Sequence, residues 1–146
     1  MNANRAEQVA ALFPVDGPYS GEATSEAARA LAALVRYLNY ATAARVGVPD
    51  FGPLYDVLGS VRGALDGLDQ TLQQVGLRVT GLAEEPGARQ DLTSSDRWPA
   101  QSTPRDTASA AWMALRLARP PLAQAVDAVR DAQVYVGRLS LNRPED

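Results

Sequence analysis

The stretch Leu54–Leu82, LYDVLGSVRGALDGLDQTLQQVGLRVTGL, decides the fold. Leu54, Leu58, Val61, Leu65, Leu68, Leu72, Val75, Val79 and Leu82 follow one another at alternating steps of four and three. A mean period of about 3.5 residues gathers them on one side of a helix and is the pattern of helices packed nearly side by side. A second stretch repeats the arithmetic with smaller residues: Ala108, Ala111, Leu115, Ala118, Leu122, Ala125, Val129, Ala132, Val136 and Leu139. The two stripes predict long helices in an all-α fold. They announce packing rather than a chemistry.

Boundary residues frame the helices. Asp50 and Gly52 precede Pro53, which suits a first helical turn, so a helix is expected from about Pro53 to Leu82. Gly76 and Gly81 weaken its second half by roughly 1 kcal/mol each relative to Ala. Glu84 and Glu85 oppose the dipole at a helix C-terminus, and Pro86–Gly87 breaks the chain direction. Upstream, a helix is expected to start between Ser20 and Thr24, with Glu22 and Glu26 near its positive end. Its inner face reads Ala27, Leu31, Leu34, Val35, Leu38, Ala41 and Thr42, and Arg45, Gly47 as C-terminal cap and Pro49 stop it. The tight connection Gly47–Val48–Pro49 predicts an αα-hairpin with the helix that follows. Asn4 and Glu7 have capping-box spacing, which predicts a short helix over about Arg5–Phe13.

The last helix opens with Thr103 as cap, Pro104 in the first turn and Asp106 as an early acid. Pro120–Pro121 lies inside it, and an interior proline costs about 3 kcal/mol. The stripe nevertheless keeps its phase from Ala118 to Leu122. The expectation is one helix over about Pro104–Leu139, kinked at Pro120–Pro121, rather than two helices meeting at Arg119. Between the stripes, residues 84–102 read as a long irregular loop, with Trp98 pinning it to the core. The expected architecture is a single domain over 1–146: an antiparallel helical bundle of three long helices plus a short N-terminal helix.

Composition narrows the function. The chain has 146 residues, 46% hydrophobic and 21% charged, the make-up of a globular domain. Aromatics reach only 6%, so the expected core is thin and Ala-rich. There is no Cys and no His, and all 14 basic residues are Arg. That removes thiolate and imidazole nucleophiles and bases, a Schiff-base lysine and the P-loop lysine. No cofactor and no metal is expected. The net charge of −3 and a pI near 4.9, with arginines scattered among acids, argue against nucleic-acid binding. No apolar run approaches the roughly 18 residues of a membrane span, and Met1–Phe13 does not read as a signal peptide. The expected location is the cytoplasm.

Candidate sites are few. Gly59, Gly63 and Gly67 recur every four residues, mostly off the leucine stripe, and a glycine line admits a close second backbone. Tyr37 and Tyr40 form a second stripe beside Asn39, and these five Gly and Tyr residues are the candidate partner-binding surface. The plainer readings are a glycine line on a solvated helix face and tyrosines packed in the core with wet hydroxyls; a buried Asn39 would specify register. Asp66 with Asp69 and Asp127 with Asp131 read as solvated acids, with Arg62–Asp66 and Asp127–Arg130 as surface pairs. No G-x-S-x-G, Walker A, G-x-G-x-x-G or H-E-x-x-H pattern occurs, and Trp112-Met113-Ala114 lies inside a helix and lacks the glycine of a W-x-G turn.

The segments Tyr37-Leu38-Asn39-Tyr40-Ala41-Thr42, Tyr55-Asp56-Val57-Leu58-Gly59-Ser60 and Gly67-Leu68-Asp69-Gln70 resemble a family of small actinobacterial helical proteins of unassigned function. Its members are often encoded near plasmid-transfer or integrative elements. The resemblance covers about Leu31–Val79, with a looser match in the Ala-rich last helix. It implies an all-helical fold and a mobile-element setting and carries over no catalytic residues. Pro120–Pro121 departs from the uninterrupted last helix that the resemblance implies.

These readings lead to a non-enzymatic helical-bundle protein acting through protein–protein contact, self-association included. The alternatives are a small-molecule or lipid-binding bundle with a cavity beside the Pro120 kink and a DNA-associated accessory factor of a mobile element.

Overall fold

The computed structural model describes residues 4–89 and 103–140, and the expectations for Trp98 and for most of the 84–102 loop lie outside them. Four helices account for the regular structure: α1 (Arg5–Leu12), α2 (Gly21–Ala43), α3 (Phe51–Ala83) and α4 (Pro104–Val136). Among the described residues there is no strand, and the fold is all-α. The chain divides into two compact units, Met1–Pro49 and Asp50–Asp146.

The first unit holds α1 and α2. Asn4 caps α1 as its spacing predicts: its side chain accepts from the Glu7 amide at 2.9 Å, and the Glu7 carboxylate accepts from the Asn4 amide at 2.9 Å. Gly17, with φ of +82°, turns the connection in a conformation that side chains disfavour. Ser20 caps α2 through the Ala23 amide. The C-cap is Ala44 rather than Gly47. Gly47 instead closes the following turn, donating to the Ala44 carbonyl, and a Cβ there would overlap the Ala41 carbonyl. No residue of α2 is buried.

In the second unit α3 starts at Asp50, whose side chain accepts from the Gly52 amide at 3.0 Å, and Pro53 falls in the first turn as expected. Thr103 and Asp106 form a reciprocal capping box at the start of α4, with Pro104 at its first position. The α4 helix runs continuously through Pro120–Pro121 and ends at Val136, three residues short of the expected Leu139. The two prolines leave the carbonyls of Arg116 and Leu117 without helical donors. Both residues are exposed, so water can satisfy those carbonyls and the helix persists. Glu84 and Glu85, ill placed for the dipole, are met by Arg105 and Arg78 at 3.8 Å each.

The two long helices pack antiparallel as a hairpin. Gln133 lies against Gly59, Arg119 against Asp69, Trp112 against Gly76 and Arg105 against Glu84, so position rises along one helix as it falls along the other. These partners define the line along which the helices touch. Most residues of the leucine and alanine stripes flank this line and are half-buried, and Ala108 of the second stripe is buried. Gly76 opposite Trp112 and Gly59 opposite Gln133 leave room for the larger side chains.

Candidate functional site

The contact line begins with two glycines. A Cβ on Gly76 would overlap the six-membered ring of Trp112, with Cδ2 also only 3.0 Å away. The six-membered ring of the indole therefore stands against the bare α3 backbone, a seat available only to glycine. A Cβ on Gly59 would stand 2.7 Å from Nε2 of Gln133. Gln133 is buried, and its amide donates to the Tyr55 carbonyl at 3.3 Å. A buried amide needs such a partner to offset its desolvation.

Between these two points Arg119 grips Asp69 with two parallel hydrogen bonds, Nε to Oδ1 at 2.7 Å and a terminal guanidinium nitrogen to Oδ2 at 2.9 Å. Both side chains are about one-third exposed. The guanidinium holds the Asp69 carboxyl below its usual pKa range, chiefly by hydrogen bonding, and Arg119 is raised in turn. The bidentate geometry fixes orientation as well as charge. The pair bridges helices fifty residues apart in sequence and was not anticipated; the expected Asp127–Arg130 pair is present at 2.6 Å.

The candidate surface residues separate. Gly59 belongs to the α3–α4 contact, whereas a Cβ on Gly63 or Gly67 would meet nothing within 4 Å. Tyr37 and Tyr40 are 62% and 75% exposed, so their rings are not core. Asn39 is exposed as well and cannot act as a buried register residue.

An α-helix turns by about 100° per residue. Leu72 of α3 and Leu115 of α4 stand three and four residues from contact-line positions and lie toward the partner helix, and both are half-buried. Leu68 and Val75 of α3 and Ala111, Ala118 and Ala132 of α4 immediately precede contact-line residues; because the helices are antiparallel, these emerge on the same side of the hairpin. The opposite side presents Asp56, Gly63 and Gln70 from α3 with Arg116, Asp127 and Arg130 from α4, together with the exposed Leu77, Met113 and Val134.

Shallow clefts occur at both ends of the hairpin, one lined by Phe51, Tyr55, Val136 and Leu139, the other by Thr80, Glu84, Arg105 and Ser109. Among the described residues no three Asp or Glu side chains gather as a metal set, and no helix is long and apolar enough to cross a membrane. No family model, no curated protein and no solved structure matches the chain.

Proposed function

We propose that the chain is a non-enzymatic helical protein of the cytoplasm that works by protein–protein contact. The observation that carries this reading is the exposed apolar surface of the α3–α4 hairpin. Val75 and Leu82 are 45% and 43% exposed on the side of Ala111 and Ala118, and Leu77 and Met113 are 56% and 54% exposed on the other side. Exposed apolar surface marks interaction sites. The glycine line supports it less, since Gly59 is occupied within the hairpin and Gly63 and Gly67 face open space.

The test is a tagged pull-down from the native host, read by mass spectrometry, comparing the parent chain with Ala118→Glu and Gly63→Leu. Contact through the apolar surface beside Ala118 predicts that Ala118→Glu loses the captured protein and Gly63→Leu keeps it. Loss with Gly63→Leu alone would move the contact to the glycine line. Capture of nothing by the parent chain, itself included, would remove the reading.

A further inference from the structure

We infer that the cleft between the start of α3 and the end of α4 binds a small organic cation carrying an apolar arm. Its walls are apolar: Phe51 and Tyr55 from α3, Val136 from the end of α4 and Leu139 just beyond it. Gly52 and Gly137 contribute bare backbone, and Asp56 is the single charged residue lining it among those described. The cleft is open to solvent and holds about 430 Å³, within the roughly 300–1,000 Å³ of small-molecule sites. Two contacts hold the Tyr55 wall in place. The Gln133 amide donates to the Tyr55 carbonyl at 3.3 Å, and the Tyr55 ring lies so close to Gly137 that a Cβ there would stand 3.1 Å from its Cε2. Tyr55 is still 45% exposed, so part of it remains open to a ligand. The site lies at the end of the hairpin, away from Pro120–Pro121, and stands apart from the proposed protein contact.

Charge selects the ligand. Among the described residues Asp56 makes no ion pair and no side-chain hydrogen bond. Arg138 follows Gly137 in sequence but does not line the cleft. The α4 helix ends here, and the carbonyl end of its dipole favours a cation. The α3 helix begins here with the opposite pole, which the Asp50 carboxylate meets by accepting from the Gly52 amide at 3.0 Å. The faces of aromatic rings such as Phe51 and Tyr55 attract ammonium and guanidinium groups. An anion would meet a like charge at Asp56, and a neutral molecule would leave that carboxylate unpaired. A cationic head beside Asp56, with its carbon arm against Phe51, Val136 and Leu139, uses the whole lining.

Titration of the full chain with phenylethylammonium, followed through its backbone amide NMR shifts, tests this. The uncharged 2-phenylethanol, of nearly the same size, is the comparison. Phenylethylammonium should shift the amides of Tyr55, Asp56 and Gly137 saturably at millimolar concentration. It should bind at least about tenfold more tightly than the alcohol, the worth of one hydrogen bond to a charged group. Asp56 is exposed, so Asp56→Asn should keep helicity by circular dichroism while weakening the ammonium about tenfold and leaving the alcohol unchanged. Asp66→Asn removes the same charge from α3 outside the cleft and should change neither. Equal binding of the two probes overturns the inference, because charge then plays no part. Equal weakening by Asp66→Asn overturns it too, since it would mean a diffuse attraction to an acidic chain. Saturable shifts gathered elsewhere on the chain, or none at tens of millimolar, overturn it as well.

Discussion

Two glycines of the same helix should respond to the same substitution with opposite signs. At Gly63 a Cβ meets open space, so Gly63→Ala adds only helix propensity and should stabilise by about 1 kcal/mol. Gly76→Ala gains the same propensity but drives its methyl into the Trp112 ring. An indole buries some 150–250 Å²; Trp112 is half-buried, so lifting it away forfeits roughly 100 Å², or about 2.5 kcal/mol. The net expectation for Gly76→Ala is a loss of about 1–2 kcal/mol. The two variants should therefore differ by about 2–3 kcal/mol for identical chemistry. Urea unfolding followed by helical circular dichroism reads both, provided the slope with denaturant stays constant. A double-mutant cycle isolates the cause: in a Trp112→Ala background, Gly76→Ala should become stabilising like Gly63→Ala. If Gly76→Ala stabilises the parent chain as Gly63→Ala does, Trp112 does not rest on the α3 backbone and the contact line is wrong.

Three further outcomes follow from the same geometry. Asp69 titrates below its usual range because Arg119 binds its charged form, so its contribution to stability is complete above the ordinary carboxylate range and is lost as pH falls through the lowered pKa; Asp69→Asn should flatten that acid limb of a stability–pH profile, and an unchanged limb would refute the coupling. Pro120→Ala restores a donor to the Arg116 carbonyl in a helix that is already continuous, and should raise the urea midpoint by the equivalent of about 1–3 kcal/mol; a fall would show that the helix needs its proline geometry. Thr103→Ala removes the cap that accepts from the Asp106 amide and should cost about 1 kcal/mol in the same assay, whereas no change would mean that the start of α4 does not contribute to unfolding.

Helix starts were legible because capping is chemistry within four residues: Asn4 with Glu7 and Thr103 with Asp106 stand where their spacing places them, Ser20 caps at the near end of the expected range, and Asp50 caps α3 ahead of the expected start at Pro53. The continuity of α4 was legible too, since the stripe keeps phase across Pro120–Pro121. The contact line was not. A heptad pattern fixes the direction of an apolar face but leaves open which neighbour that face meets. Gly76 therefore read as a weak point in α3, although it is the seat of Trp112, and Gln133 did not stand out at all. The Asp69–Arg119 pair joins residues fifty positions apart, beyond any local rule. One clue was present: Leu58-Gly59, Leu68-Asp69 and Val75-Gly76 repeat a large residue followed by a small or polar one, and Ala111-Trp112, Ala118-Arg119 and Ala132-Gln133 invert the sizes. Read together, those dipeptides describe two surfaces on each helix, one for its partner and one beside it.

The glycine seats at Gly59 and Gly76 lie about 25 Å apart along α3. They fix the register of the hairpin at two points. Moving α4 by one helical turn would bring Trp112 over Gln73 or Thr80, where a side chain already stands, and would take the Gln133 amide away from the Tyr55 carbonyl at the same stroke. A slip of the helices therefore forfeits both contacts together, so the two glycines set where α4 stops along α3.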